Sequence, residues 1–379
     1  MFTSDLSVNE MYCLKKLGFE PGEMVVGNSV YSIGFMGSLT SGFRGLIGGE
    51  INAITDMISS GRHLAINRLE QEGLDKGNQG VTGVSTELIQ HSSAGNIEFL
   101  SIGSGVKKES LDGQKSFFSS SIDGEELFCN IDAGYNPQKF VMGNVAYSIG
   151  LGGGFIGSLK TLGRGEIKEY SNIFNHTRHL ALERIVNEAK KTGANSVLNI
   201  NTQIFPFYNG SSSVTEMLMI GTASHNQALG PEYTQNPVTS DLCSSELWSL
   251  TKMGYIPLKL VLGTAVYSLG FVGGITSMLK SFVKGEIKEL TTMVYNAREH
   301  AIGLIEDEAK NLGADLVVGT KIYMYELGNN LIEFMAIGTA VKRADFVSTH
   351  SDELIPQAII QDRDTYFDNQ GTSFGSNGR

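Results

Sequence analysis

His176 and His179 stand three residues apart in the charged stretch Asn175-His176-Thr177-Arg178-His179. On one face of a helix that spacing lets both imidazoles reach a single cation, the way a transition-metal ion is gripped. A metal site needs further ligands, and the sequence shows no third one and no Cys-x-x-Cys pair. Two histidines on a charged helix face more often are solvated side chains. They remain the candidate metal ligands, with no other cofactor expected.

Other chemistry-bearing residues recur. Glu50, Glu166 and Glu286 each follow a glycine. They could form a ring of carboxylates at a pore, but a carboxylate opening a helix also gains about 0.3–1 kcal/mol from the helix dipole, and that explanation is preferred. Arg62, Arg178 and Arg298 recur as well, and a salt bridge between neighbouring modules explains them better than substrate binding. Tyr31, Tyr147 and Tyr267 are expected to fill an interface with their rings and hydrogen-bond the hydroxyl at its edge. Gly152-Gly-Gly-Phe-Ile-Gly157 formally matches a dinucleotide-binding loop. Its sister stretches put Met36, Ser38 and Ser41, and Val272, Gly274 and Ser277, at those places, so the match is chance. No nucleophile with a base, and no acid pair, repeats or stands out. No catalytic residues are assigned.

These residues recur because the chain writes one phrase three times. Gly27 to Glu50, Gly143 to Glu166 and Gly263 to Glu286 share a short apolar strand, Tyr-Ser-Ile/Leu-Gly, a glycine-loosened apolar segment and Gly-Glu-Ile. Internal repetition governs the whole architecture and is read before anything else. At the histidine positions the sister copies carry Ser60 and His63, and Asn296 and Glu299.

Ahead of each phrase the pattern predicts a short helix. Ser7 with Glu10 forms a capping box, Asp123 with Glu126 repeats it, and Cys243 stands where the third cap is due, so Asp241 or Ser244 is expected to serve. Gly18, Gly134 and Gly254 end these helices. Continuous apolar runs then predict strands covered on both faces. A long amphipathic helix follows, clearest from Glu286 to Leu312, where Ile287, Leu290, Val294, Ala297 and Ala301 recur at helical spacing. In the first copy Gly73 and Gly77 predict a frayed last turn. A hairpin closes each copy.

The 379 residues carry a net charge of −11 and no basic run, which excludes a general phosphate-backbone binder. Three cysteines are too few and odd in number for a disulfide framework, and a reducing, cytoplasmic setting is expected. The N-terminus lacks the charge and apolar core of a signal peptide. The uncharged runs 24–43, 140–159 and 260–279 reach membrane-spanning length but are rich in Gly, Ser, Thr and Asn, so a membrane-associated ring stays an alternative.

The motif order resembles the YbjQ-like family, often labelled heavy-metal-binding. Gly263, Gly285-Glu286, Arg298, Glu308-Ala309, Gly313-Ala314 and Gly338-Thr339-Ala340 carry the resemblance in the third copy, and the second copy repeats them from Gly143 to Ala223. The resemblance implies an α+β, dodecin-like module, a small antiparallel sheet wrapped on one long helix, assembling into five-fold rings with no established reaction. The expected domains are residues 1–119, 120–239 and 240–343, followed by a polar, mobile tail, 344–379. The expected function is a non-enzymatic, self-assembling structural or binding protein. A pentameric homo-oligomer would stack three rings, each built from one copy, with metal binding through His176 and His179 as the first alternative.

Overall fold

A computed structural model describes residues 3–32, 49–91, 96–108, 117–148, 165–209, 212–269, 288–328 and 331–359. The first module comprises α1 (Val8–Lys16), β1 (Glu20–Ser32), β2 (Gly49–Glu50), α2 (Asn52–Asp75), β3 (Gly80–His91) and β4 (Asn96–Lys107). The second adds β5 (Phe118–Ser119), α3 (Gly124–Asp132), β6 (Asn136–Ser148), β7 (Gly165–Glu166), α4 (Lys168–Lys191), β8 (Ser196–Asn209) and β9 (Ser212–His225). The third runs through α5 (Glu232–Gln235), β10 (Val238–Thr239), α6 (Ser244–Lys252), β11 (Tyr255–Ser268), α7 (Lys288–Asn311), β12 (Leu316–Gly328) and β13 (Leu331–Arg343). The chain is α+β, with three sheets and one long helix packed on each.

The modules interlock through their sheets, whose strand orders are β1-β4-β3-β5, β10-β8-β9-β6-β2 and β12-β13-β11-β7. The three long strands of each module pair antiparallel. Each following linker adds a parallel strand, β5 on β3 and β10 on β8. The Gly-Glu steps go the other way: β2 lines the open edge of the second module's β6, and β7 that of the third module's β11.

That pairing corrects the expectation that Gly-Glu opens the long helix. Glu50 and Glu166 are strand residues, and α2 and α4 start just after Ile51 and Ile167, which cap them without a side-chain bond. Two further corrections concern helix ends. The helix α2 runs unbroken through Gly73 to Asp75, with Gly73 packed closely against the Val81 side chain, and Gly77 takes the left-handed turn at φ +72°. Cys243 is itself the cap of α6, with Glu246 accepting from its amide at 3.1 Å. Asp241 binds Thr339 and Lys321 instead.

The short helices form a second layer of continuity. Glu10 completes the capping box on Ser7 and also accepts from the Gly124 amide at the start of α3, 3.1 Å away. Glu126 reaches the Ser244 amide at the start of α6 in the same manner. Cys13, Phe128, Cys129 and Trp248 share one apolar cluster with Ala344, Val347 and Ala358. The tail, expected to be mobile, is thus held through Ile359, and the Ser351 hydroxyl donates to Asp132 at 2.7 Å; residues 360–379 lie outside the described residues. All three cysteines are free.

Burial pushes the Glu126 carboxyl up to about 8, and the charge of Asp123 adds to it. A carboxyl raised above its unfolded value, about 4.3, favours the folded state when protonated. Its contribution is therefore largest at acid pH and is lost as the pH rises towards 8. Urea midpoints of the Glu126→Gln variant, set beside the parent across pH 5–8, are expected to fall less with rising pH. An unchanged slope would show that Glu126 does not titrate in this window.

Each long helix buries one stripe on its own sheet, and α2 and α4 bury a second flank against the next module. In the third module Ala297, Ala301, Ile305 and Ala309 pack on Val261, Ala265, Phe334 and Ala336. The strands β6 and β11 are covered on both faces, as their continuous apolar character predicts. Strand β1 is not: Val25 is fully buried while Met24, Val26 and Val30 are 39%, 38% and 57% exposed. The difference lies in what precedes each module, since the outer faces of β6 and β11 are covered by the helix before them.

Candidate functional site

The most strongly charged buried groups lie where one module's helix meets the next module's sheet. Arg62 on α2 is fully buried. Its Nε and Nη2 donate to the two carboxylate oxygens of Glu216 on β9 at 3.1 and 2.7 Å, and its Nη1 to Thr86 at 3.1 Å. The rings of Phe99 and Phe205 flank the guanidinium at 5.7 and 5.6 Å.

The second junction repeats the first. Arg178 on α4 is also fully buried and clamps Glu333 on β13, with Nε to Oε1 at 3.1 Å and Nη2 to Oε2 at 2.8 Å. Its Nη2 also donates to the Tyr147 hydroxyl at 2.9 Å, and the rings of Tyr147 and Phe174 lie 4.8 and 5.2 Å from its guanidinium carbon. Burial works against the Arg178 charge, but the Glu333 carboxylate overrides it and holds the guanidinium above its ordinary value. Desolvating two ions costs several kcal/mol each, so such a pair persists only with bidentate geometry and its remaining donors satisfied, as here.

Around each pair the backbone is stitched in one register. Glu50 faces Tyr147 and Gly49 faces Ser148 across the two strands, and the Ile51 amide donates to Ala146 at 2.8 Å. The Thr55 hydroxyl accepts from the Ala146 amide at 2.9 Å. One module on, Glu166 faces Tyr267, Ile167 donates to Val266 at 2.8 Å, and the Ser171 hydroxyl accepts from the Val266 amide at 2.9 Å. Gly49 and Gly165 enter these strands at φ +110° and +135°, a backbone shape that resists any side chain.

The rim is ionic. Glu50 pairs with Arg184 at 2.7 Å and Glu166 with His300 at 3.5 Å. His63 bonds Glu188 in the next module, and His179 bonds Glu308 in the next at 3.5 Å. In both histidines the carboxylate bond raises the imidazole pKa against the opposing effect of burial.

The candidate metal ligands do not converge on a site. His176 is exposed. His179 spends Nδ1 on the Asn175 carbonyl at 2.8 Å and Nε2 on Glu308. Among the described residues no group of three or more His, Cys, Asp or Glu side chains is placed to hold a metal ion. Glu286 and the Gly152–Gly157 loop lie outside the described residues. Tyr31, Tyr147 and Tyr267 pack edge-on against Phe99, Phe174 and Phe334. The inter-module salt bridge expected for the recurring arginines is formed by Arg62 and Arg178. Their acid partners, Glu216 and Glu333, were not singled out by sequence; the available signal is a lone carboxylate inside an apolar strand, as in Thr215-Glu216-Met-Leu-Met.

A family described as "Putative heavy-metal-binding" matches residues 19–109, 135–227 and 255–344. The chain belongs to the YbjQ-like family. The matched segments begin after α1, α3 and α6, so those capped helices are additions to each YbjQ-like module. An encapsulin nanocompartment protein of Mycobacterium tuberculosis is 32% identical over 240 residues, covering 62% of this chain and 89% of that protein. A UPF0145 protein of Saccharolobus islandicus is 42% identical over 87 residues, 23% of this chain and 76% of its own length. One from Enterococcus faecalis is 38% identical over 88 residues, 23% of this chain and 84% of its own length. Each UPF0145 relative thus spans about one module.

Proposed function

We propose that this chain is a structural building block, not an enzyme, and that it assembles with further copies of itself into a closed homo-oligomer. The observation that carries this reading is the junction used twice within the chain, helix face to sheet face, in the same sense both times. Such a contact is heterologous, and repeating it generates a ring if the rotation closes and a filament if it does not. Similarity to a protein named for a nanocompartment supports the same reading.

The junction also bears on the arrangement of modules. Successive modules of one chain already meet through it, which favours modules following one another round a single ring over three stacked rings of five. A ring of whole chains joined this way holds a multiple of three modules. Metal binding gains no support from His176 and His179: His179 meets the Glu308 carboxylate, but among the described residues no group of three His, Cys, Asp or Glu side chains is placed to hold an ion. No helix among the described residues is long and apolar enough to cross a membrane, and a cytoplasmic, detergent-free particle is the form we propose.

Sedimentation velocity of the purified chain tests the proposal. Species at multiples of the 40.9 kDa chain mass are expected. A single chain that stays single at rising concentration overturns it.

A further inference from the structure

Each junction has two halves, and among the described residues one of each is left over. On the first module the outer face of β1 exposes Met24, Val26 and Val30. Their counterparts Phe140, Met142 and Ala146, and Leu260, Leu262 and Val266, are all buried beside the preceding module's helix. On the third module Arg298 occupies the place of Arg62 and Arg178 but is exposed. Glu98 on β4 occupies the place of Glu216 and Glu333, opposite Val30 as they lie opposite Ala146 and Val266. Among the described residues it meets no arginine, and it bonds His91 at 2.9 Å and Asn28 at 3.2 Å.

We infer that α7 of one chain docks on the β1 face of a second copy, with Arg298 clamping Glu98. This rests on the self-assembly proposed above and specifies its interface. The occupant is identified by continuity with the two junctions already built: the second copy offers the same helix, the same arginine position and the same hydroxyl. Thr291, exposed on α7, stands where Thr55 and Ser171 accept a strand amide, and the matching amide belongs to Val30 on the sheet edge. Charge and apolar surface are complementary, and the isolated chain leaves both halves in water.

One position departs from the pattern. Where His63 and His179 bond Glu188 and Glu308, the third helix carries Glu299, and the carboxylate it would meet is Glu72, already shared with Lys76 at 2.9 Å. Two carboxylates replace a histidine–carboxylate pair. The junction between chains is therefore weaker than those within a chain, and its strength is set at Glu299.

The test is native mass at graded concentration for the full chain and four variants. Arg298→Glu and Glu98→Arg are each expected to weaken association by about a hundredfold or more, the scale of a broken charge pair at an interface. The two together on one chain restore the parental mass, because reversed charges still match. Glu299→His tightens association by about tenfold. Circular dichroism of Arg298→Glu, altered at an exposed position, confirms an intact chain. If both single reversals keep the parental mass, or the double reversal fails to restore it, this interface is wrong while self-assembly stands. If the parent itself is a single chain, self-assembly fails as well.

Discussion

Arg178→Ala lowers the stability of the chain by about 3–5 kcal/mol, read as a drop in urea midpoint, because it leaves Glu333 charged and buried without its partner. Glu333 is 1% exposed and its carboxylate takes its two closest bonds from Arg178. Replacing both members with apolar side chains, Arg178→Met with Glu333→Leu, recovers most of the loss, since no ion is then taken out of water. The same truncation at the equivalent third position, Arg298→Ala, changes the stability of the isolated chain by less than about 0.5 kcal/mol, the range of exposed surface changes. Three arginines in one repeat position thus give two outcomes, decided by whether another module's sheet buries the guanidinium. Equal losses at Arg178 and Arg298 would contradict the structural assignment.

Gly143→Ala is the second large effect. A methyl group at Gly143 would run into the Ala181 carbonyl oxygen and lie 2.6 Å from the Ile185 nitrogen, both backbone atoms of α4. Overpacking against movable side chains costs about 1–3 kcal/mol. Here the obstacle is a helix backbone held by its own hydrogen bonds, so the loss exceeds that range and the strand lifts from the helix. Gly27 meets Ala65 and Leu69 in the same way. At Gly263 the nearest atoms are Leu304 Cβ at 2.5 Å and the Ala301 carbonyl oxygen at 2.8 Å, a shallower approach to the same helix, so Gly263→Ala is the milder of the three. Thermal unfolding of the three alanine variants checks the order.

This close approach explains why the strand-to-helix order was legible in the sequence. A glycine centred in an apolar strand, three times over, marks where strand and helix backbones touch. The Ser7–Glu10 capping box, the Asp123 cap (its side chain accepting from the Glu126 amide without the reciprocal bond) and the helix-ending glycines were legible for a similar reason, each being a local bond or a local dihedral. Gly18, Gly134 and Gly254 indeed sit at φ +79°, +88° and +77°.

What local pattern did not carry was the direction of the long-range contacts. Gly49-Glu50 reads as a helix start because glycine followed by a carboxylate suits one. Its strand role depends on an open sheet edge that only the next module provides. The recurring arginines were visible, and a bridge between modules was the preferred reading. Glu216 and Glu333, their partners, lie 154 and 155 residues further along, beyond the reach of helix or strand periodicity, and only their shared repeat position with Glu98 links them. Likewise β1 and β11 share the apolar-Gly-polar-apolar-Val-Tyr-Ser pattern only in part, and β11 is covered on both faces because α4 packs on its outer face, while no long helix among the described residues packs on that of β1.

Counting modules round the assembled particle by electron microscopy tests the central claim most directly. Whole chains joined through the Arg298 face predict a single tier whose module number is a multiple of three. A three-tiered particle with five modules in each tier, or a field of isolated chains, would contradict it.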